Sequence, residues 1–533
     1  MVAASELPIQ TVREGVDATD MANAIFGDGV TVVSASYTGD IDSAGIYSDG
    51  DATSPGVTPS DTGVILSTGN AEDFTNSNGT SNQSNSTSTN TSGQNNNSDF
   101  NAEANARTYD ASYLDVDFIP TGNVMTMQFV FSSEEYPEFQ NSIYQDFVGV
   151  WVNGQIVDMD VGDGDTDPGN VNTTNNINMY VDNSNDDYNT EMDGFTITLT
   201  LTMVVDPGVV NSIRIGIADV ADNQYDSNLL IAGDSVQTSL VAISDDVNVY
   251  PDGTTSFNVL ANDVAPATST LTITHINGQP VSYDPVSGTG TTVTLPTGQT
   301  VTIGPNGELT VVGDGDEEDF NFTYTVTDGN NTDVGFVNAT SIPCFVAGTL
   351  ISTPDGQVPV ESLTHGDLVL TQDDGPQPLR WIGTRTVPAT GDFAPIVIRS
   401  GTFGSRNDVM VSPLHRILVR DSVAELLFGE PEVLVAARDL VNDHSIRRVP
   451  GGTVTYVHLM FDKHQVVFTE GLATESFLPG PQTTKSFERE VVAEICSVFP
   501  ELDPDTGLGY SPAARRTLRH FEADLLRKAR DAA

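Results

Sequence analysis

The stretch TSIPCFVAGTLIST, from Thr340 to Thr353, contains Cys344, one of only two cysteines among 533 residues. It also lies where the composition of the chain changes. The only basic residues before Cys344 are Arg13, Arg107 and Arg214, and the other eighteen of the 21 lysines and arginines come at or after Arg380. This boundary predicts that a separate domain begins at Cys344, and it raises the question of why a cysteine stands there.

The bulk composition limits the classes of partner. A chain of 533 residues predicts three or four domains. With 74 acidic residues and a net charge of −53, the surface should repel nucleic acid and anionic membranes, so neither is an expected partner. The start, MVAASELPIQTVREG, lacks the pattern of a cleavable signal peptide, and no apolar run reaches the ~20 residues that span a bilayer. We expect a soluble protein that is secreted or carried at the cell surface and exported without such a signal.

Short runs that alternate between apolar and polar residues dominate the first half of the chain. Examples are VMTMQFVFSS (124–133) and GFTITLTLTMVV (194–205), each bounded by turn-forming residues. Period-two runs of β-branched and aromatic residues predict an antiparallel β-sandwich. The Asn/Ser/Thr-rich segment 75–101 has little to bury and predicts a long disordered surface loop.

Four segments of this half carry a family resemblance. They are GVILSTGNAEDF (63–74), FSSEEYPEF (131–139), DFVGVWVNG (146–154) and IADVADNQYDSNLLIAGDS (217–235). In this order they resemble the bacterial choice-of-anchor L domain over residues 5–242, which implies a β-rich extracellular module and no reaction. Residues 243–340 resemble bacterial Ig-like or cadherin-like repeats, through ISDDVNVYPDGTTSFNVLANDV (243–264) and FNFTYTVTDGNN (320–331). A small sandwich of this kind would act as a stiff spacer.

The segments that come after Cys344 carry a second resemblance. After CFVAGTLISTPDGQVPVESLTHGDLVLT come QPLRWIGTRTV (377–387), DVMVSPLHRILV (408–419), LVAARDLV (434–441) and VTYVHLMFDKHQVVFTEGLATESFLPG (454–480). Together these resemble a Hint domain, the all-β fold of Hedgehog autoprocessing domains and inteins, over residues 343–480. The resemblance implies self-cleavage of the Pro343–Cys344 bond, with the chain's own N-terminal segment as substrate and no cofactor.

The chemistry can also be argued from the residues themselves. A cysteine that begins a domain can attack the preceding carbonyl through a five-membered ring, and this intramolecular step needs no encounter of two molecules. The amide nitrogen then leaves as an amine and must be protonated, which suits histidine. The resemblance assigns the amide contact to His415, with Ser412 at the hydroxyl position of the motif, and matches His464 to a later histidine of the pattern. Asp439 and His458 are candidates for orienting groups, although inteins usually carry an aspartate near the place of His458.

Two features predict how the reaction ends. Inteins finish with His-Asn, whereas Glu475 and Ser476 occupy that place here, so we expect cleavage through a thioester without splicing. Proline locks its own φ and crowds the carbonyl that is attacked, so cleavage should be slow or conditional. The alternative is a surface adhesion or matrix protein with a catalytically inert Hint domain, whose extracellular ligand is of unknown type.

The acidity leaves two interpretations open, solubility or Ca²⁺ binding outside the cell. Asp163, Asp165 and Asp167 have the 1-3-5 spacing of an EF-hand loop, but Pro168 and Thr174 replace its glycine and its final glutamate. A looser Ca²⁺ site in the β domains is therefore the remaining metal prediction.

The region 481–533 predicts a short α-helical tail of two amphipathic helices. The first would place Cys496 on its apolar face, and the second would begin at Ser511–Pro512, with an apolar stripe through Leu518. The whole sequence thus predicts a mainly β chain: an N-terminal β-sandwich, a small Ig-like sandwich, a Hint-type all-β domain and this tail.

Overall fold

The structure is a computed structural model that forms two compact units. The first takes in 1–245, 258–310 and 320–338, and the second 246–257, 311–319 and 339–533. The residues that it describes are 2–77, 84, 86–140, 142–157, 159, 161, 166–249, 254–267, 269–314, 320–340, 345–389, 394–413, 415–428, 430–442, 444–477, 499, 511, 513–518, 523, 526 and 527.

Residues 9–232 form two facing β-sheets with three short helices. The strands are β1 (Ile9–Thr11), β2 (Val30–Thr38), β3 (Ala44–Tyr47), β4 (Gly63–Ser67), β5 (Thr108–Pro120), β6 (Val124–Ser133), β7 (Phe147–Val152), β8 (Gln155–Ile156), β9 (Tyr180–Asp182), β10 (Gly194–Thr196), β11 (Leu199–Val204), β12 (Asn211–Val220) and β13 (Ser227–Ala232). The helices are α1 (Ala18–Ile25), α2 (Gly50–Thr53) and α3 (Ser98–Glu103).

The two sheets are antiparallel wherever their register is defined. One has the order β1-β3-β4-β13-β6-β10-β9, with β11 also paired to β6, and the other has the order β2-β5-β12-β7-β8. In β11 the side chains of Leu199, Leu201 and Met203 are buried while those between them are more exposed, which is the predicted period of two. A core of large apolar side chains, including Tyr47, Phe74 and Phe195, lies against the first sheet.

The prediction of disorder over 75–101 is wrong for the residues of that segment that the structure describes from 86 onward. Helix α3 begins there, because the Asn97 side chain accepts hydrogen bonds from the backbone N–H groups of Asp99 and Phe100. The Phe100 ring is fully buried beside Trp151, with 5.0 Å between ring centroids. The backbone N–H of Thr89 donates to the Asp226 carboxylate at 2.7 Å. Hydrogen bonds to buried carboxylates, together with the burial of Phe100, order this polar segment.

Residues 245–340 form short strands of an Ig-like type. They are β14 (Asp245–Asn248), β15 (Thr254–Asn258), β16 (Thr272–Ile276), β17 (Gln279–Pro280), β18 (Tyr283–Asp284), β19 (Thr289–Gly290), β20 (Thr292–Thr294), β21 (Thr300–Ile303), β22 (Glu308–Val312), β23 (Phe320–Thr327) and β24 (Thr332–Thr340). Within the first unit, β24-β23-β16-β17 and β22-β21-β20 are the runs of neighbouring strands. The Tyr324 hydroxyl donates to the Val259 carbonyl at 3.0 Å inside this region.

The C-terminal strands form two further sheets. The strands are β25 (Phe345–Val346), β26 (Leu350–Thr353), β27 (Gly356–Pro359), β28 (Leu368–Thr371), β29 (Gly375–Pro378), β30 (Trp381–Pro388), β31 (Ile396–Ile398), β32 (Val409–Val411), β33 (Arg416–Arg420), β34 (Glu432–Ala436), β35 (Ile446–Arg448), β36 (Thr453–Met460), β37 (Val466–Thr469), β38 (Leu472–Glu475) and β39 (Arg516–Thr517), with helix α4 (Ser422–Phe428). One sheet has the order β30-β36-β25-β32-β31-β35, and the other the order β27-β26-β37-β38-β33-β34-β39, with β28 and β29 attached at β37. Phe345, Ile351, Ile417 and Val457 belong to their shared core.

The predicted helix start at Ser511–Pro512 is wrong for the described residues 513–518. Arg516 and Thr517 form β39, which runs parallel to β34, and Leu518 is buried against Val419 and Val433. The open edge of β34 offers hydrogen bonds and apolar contacts that outweigh the local helical pattern. Cys496 and most of the predicted tail lie outside the described residues. The mainly β fold class is confirmed, and no helix in the described part of the chain is long and apolar enough to cross a membrane.

Candidate active site

Strand β25 lies at the centre of the candidate site. Phe345 pairs with Val411 of β32 on one side and with Val457 of β36 on the other. The residues that come directly after these two partners in sequence are Ser412 and His458, two of the predicted site residues. Cys344 and Pro343, the predicted nucleophile and the residue before it, lie outside the described residues.

His415 ends a tight turn after β32. Its backbone N–H donates to the Ser412 carbonyl at 3.1 Å, and its own carbonyl accepts from the Ala437 N–H at 3.0 Å, so the main chain is fixed on both sides. The imidazole is 2% exposed, and its centroid lies 4.3 Å from that of the Phe345 ring. Neither ring nitrogen has a hydrogen-bond partner among the described residues. A buried imidazole with two open nitrogens is arranged to take up one further polar group.

The environment keeps His415 uncharged. Burial disfavours the imidazolium and lowers the pKa of His415 to about 4, although the charge of Glu475 opposes this effect. At neutral pH the ring therefore carries one proton and one lone pair. Such a ring can accept a proton at one nitrogen and donate one from the other.

His464 belongs to a second, fully hydrogen-bonded group. Its Nε2 lies 3.0 Å from the Ser476 carbonyl oxygen and 3.5 Å from Oε2 of Glu475. Its Nδ1 accepts a hydrogen bond from the backbone N–H of Ala514 at 2.9 Å. Both ring nitrogens are thus occupied, in contrast to those of His415.

Glu475 connects the two histidines. Its Oε1 accepts the backbone N–H of Arg416 at 2.9 Å, and the Arg416 guanidinium lies 3.4 Å from Oε2. Burial by itself would raise the pKa of Glu475, but the charge of Arg416 and the hydrogen bond from His464 outweigh it and lower that pKa to about 2. The carboxylate is therefore ionised although it is only 1% exposed.

His458 and Asp439 flank this group. The His458 ring packs against Phe477, with 5.2 Å between centroids, and lies near Trp381 at 6.4 Å. Asp439 is buried on the 3₁₀ helix Ala437–Leu440, whose first residue bonds to the His415 carbonyl, and its Oδ1 lies 3.7 Å from the Arg438 guanidinium. The charges of Glu475 and Arg416 act on His415, and His458 and His464 lie close enough to affect it as well, so the structure brings the three predicted histidines into one electrostatic environment.

Sequence reasoning missed four residues of this site. Arg416 stands next to His415 in the segment SPLHR, and Glu475 stands in LATES where inteins carry a histidine. Arg416 and Glu475 carry opposite charges, one directly after His415 and the other at the place of the intein histidine. This charge pair was the signal in the sequence that could have identified them. Ser511 and Ala514 gave no signal, because their contacts with His464, about 50 positions earlier, exist only in the folded chain.

The predicted Ca²⁺ ligands are only partly described. Asp163 and Asp165 lie outside the described residues. Asp167 is described, and its carbonyl and carboxylate oxygens both accept the backbone N–H of Asn170. In the described part of the chain no group of three or more His, Cys, Asp or Glu side chains is arranged to hold a metal ion.

Comparisons with known families cover nearly the whole chain. The model of the choice-of-anchor L domain matches residues 10–237, that of the bacterial Ig domain residues 237–340, and that of the Hint domain residues 343–481. The three matches confirm the domain architecture expected from the sequence. No curated protein matches the chain.

Likeness to solved structures is low. The N-terminal eight Ig domains of Down Syndrome Cell Adhesion Molecule are 8% identical, with a TM-score of 0.14, covering 56% of this chain and 35% of that one. Domains 3–5 of Drosophila OTK are 10% identical, with a TM-score of 0.14, covering 52% of this chain and 85% of that one. This chain therefore spans about a third of the length of the first structure.

Proposed function

We propose that this chain, which joins a choice-of-anchor L domain, a bacterial Ig domain and a Hint domain, is a bacterial surface protein that cleaves itself between Pro343 and Cys344. The observation that carries the proposal is the buried His415. Its ring contacts Phe345, the residue next to Cys344 in sequence, and both of its nitrogens lack a partner among the described residues. Such a ring could accept a proton from the Cys344 thiol and donate it to the nitrogen of the Pro343–Cys344 bond.

The proposed step conserves protons. The thiol proton of Cys344 passes to His415, and the sulfur attacks the Pro343 carbonyl carbon. The C–N bond then breaks, and His415 returns the proton to the leaving nitrogen, which becomes the free amine of Cys344. The product is a thioester between the Pro343 acyl group and the Cys344 sulfur.

Water or an external thiol, amine or alcohol then accepts the acyl group. Two fragments result, 1–343 and 344–533. The released fragment carries the choice-of-anchor L and Ig domains, so its release would separate a surface module from the processing domain. An extracellular ligand of that module is also part of the proposal.

The test is incubation of the purified full-length chain with dithiothreitol or hydroxylamine, followed by a denaturing gel and N-terminal sequencing. We expect a new N-terminus at Cys344 in the wild type and an intact chain for Cys344→Ala. Undiminished cleavage in Cys344→Ala would exclude this mechanism. A wild-type chain that stays intact under all these conditions would favour an adhesion or matrix protein with an inert Hint domain.

A further inference from the structure

Ser511 and residues 513–518 contact strands and side chains of the Hint domain. The backbone N–H of Leu518 donates to the Leu434 carbonyl at 2.8 Å, and β39 extends the sheet beside β34. The Arg515 guanidinium bridges Glu432 at 2.6 Å and Asp373 at 2.8 Å. Ala514 packs against the apolar side chains of Leu418, Leu434 and Val466. These contacts fix the segment where it passes His464.

Two hydrogen bonds join this segment to His464. The backbone N–H of His464 donates to Oγ of Ser511 at 2.7 Å, and the backbone N–H of Ala514 donates to His464 Nδ1 at 2.9 Å. A backbone N–H can only donate, so Nδ1 must present its lone pair. The single proton of the neutral ring therefore resides on Nε2, which donates to the Ser476 carbonyl at 3.0 Å. A proton on Nδ1 would point at the Ala514 N–H, and two donors cannot form a hydrogen bond with each other.

The same contacts lead from the segment to His415. His464 lies beside Glu475, and Glu475 accepts the backbone N–H of Arg416, the residue directly after His415. The order of contacts is thus Ala514, His464, Glu475, Arg416 and the peptide that carries His415. The titratable and charged groups around His464 are Glu475 in contact, and Arg416, His415 and His458 within the same electrostatic cluster.

We propose that Ser511 and residues 513–518 are a positioning element of the processing site, in which the Ala514 N–H holds His464 in the Nε2–H tautomer and so fixes the Glu475–Arg416 support of His415. This effect on cleavage rests on the proposed function. Ser511 and Ala514 touch no reacting atom, so they act as positioning residues. The matched family region ends at residue 481, well before this segment.

The variant that tests the proposal is Ala514→Pro, because proline has no backbone N–H to donate. Ala514→Gly keeps the N–H and is the conservative partner. Ala513→Pro is the proline control, because Ala513 is exposed and its N–H makes no hydrogen bond within the described residues. Near-UV circular dichroism of each full-length variant establishes that the domain remains folded.

The first measurement is ¹⁵N NMR of the full-length chain labelled at its seven histidines, with the His464 signals assigned from His464→Gln. We expect an unprotonated Nδ1 and a protonated Nε2 in the wild type, in Ala514→Gly and in Ala513→Pro. In Ala514→Pro we expect protonated Nδ1 to appear. Identical His464 signals in the wild type and a folded Ala514→Pro would overturn the assignment.

The second measurement is the thiol-induced cleavage rate from pH 5.5 to 8.5. We expect Ala514→Pro to cleave at least about ten-fold more slowly, with an altered pH profile, because loss of an oriented acid–base group lowers rates by this order or more. Ala514→Gly should restore the wild-type rate. If the NMR signals change and the cleavage rate does not, the segment is no part of the processing site. If the wild type never cleaves but its tautomer is as expected, the proposed function fails while the Ala514–His464 assignment stands.

Discussion

The protonation state of His415 should shape how the cleavage rate changes with pH. Its buried ring is uncharged above pH of about 5, because burial lowers its pKa to about 4. A free cysteine has a pKa of about 8.5, so the thiolate fraction still increases across the neutral range. We expect the cleavage rate to rise from about pH 6 to 8.5.

Single-turnover rates at constant thiol concentration measure this profile. His415→Gln should reduce the rate by roughly 10²–10⁴ at each pH, which is the usual contribution of a general acid–base group. Ser400→Ala, at an exposed position outside the site, is the surface control and should leave the rate unchanged. A rate that falls between pH 6 and 7.5 would instead mean that a protonated histidine with an ordinary pKa supplies the proton.

Pro343 gives a second prediction at this scale. Proline fixes its own φ and crowds its carbonyl, which is the atom that the thiol must approach. Pro343→Ala removes the ring and should accelerate cleavage several-fold without changing the site of cleavage. The rate of appearance of the 344–533 fragment measures the effect. A slower reaction in Pro343→Ala would show that the proline ring aligns the carbonyl for attack.

Among the elements, the residues that follow strand β38 bear on how the proposed thioester would be resolved. The backbone N–H groups of Ser476 and Phe477 donate to the carbonyls of Gln465 and Leu459, both at 2.8 Å, and the Ser476 carbonyl accepts from His464. The peptide bond between Ser476 and Phe477 is thus held on both sides. Neither Glu475 nor Ser476 has the side-chain amide that attacks the main chain in inteins.

We therefore predict that the chain does not splice. Intact-mass measurement after incubation with dithiothreitol or hydroxylamine should give 1–343, free or as the adduct, and 344–533 with its C-terminal segment attached. Cys344→Ala, treated in the same way, supplies the mass of the uncut chain. A ligated product that lacks the Hint domain would contradict this prediction.

The elements also show where sequence patterns suffice. The alternation in β11 predicted its buried face, because burial on one side of a sheet forces a period of two. The pattern around Ser511 failed, because pairing with β34 and burial of Leu518 arise from residues about 80 positions earlier in the chain. The segment 75–101 failed for a related reason. Its backbone N–H groups bind Asp110 and Asp226, carboxylates that no local pattern connects with it.

The candidate site was predictable to a similar extent. His415, His464 and His458 could be named from their motifs, and the structure places them in one electrostatic environment. The role of Glu475 could not be predicted from the sequence, because its ionisation depends on Arg416 and on burial, which only the folded chain provides. Positions of side chains that act through space are set by packing, not by spacing in sequence.

At the scale of the whole molecule, the buried acidic residues of the N-terminal region should make its stability depend on pH. The carboxyl groups there that are at most 3% exposed include Glu134, Glu135, Asp146, Asp219 and Asp226. Only three basic residues precede Cys344. Of these, Arg13 pairs with Asp42, and Arg214 with Asp99 and Asp115. Burial therefore raises the pKa of Glu134 and of Glu135 to about 9, and that of Asp226 to about 6.

The sign of the effect is set by proton binding. An unfolded glutamate has a pKa of about 4.3, so between that pH and about 9 the folded state holds more protons than the unfolded state. The stabilisation of the folded state is complete below the pKa that the glutamate has in the unfolded chain. It is lost as the pH rises through the pKa that the glutamate has in the folded chain. We predict that the melting temperature of the N-terminal region falls steadily from pH 5.5 to 9, as measured by calorimetry of the full-length Cys344→Ala chain.

Two comparisons make this prediction specific. Glu134→Gln is neutral at every pH, so it should flatten the slope and raise the melting temperature at pH 8.5. Glu103→Gln, at an exposed position, should change neither the slope nor the melting temperature.

If Ca²⁺ binds in this region as the sequence predicts, it neutralises carboxylates in place of protons. Millimolar Ca²⁺ should then raise the melting temperature more at pH 8.5 than at pH 5.5, and more than Mg²⁺ does. A melting temperature independent of pH in the wild type would mean that these carboxyl groups titrate alike in the folded and unfolded chain, and an equal response to both ions would reduce their effect to charge screening.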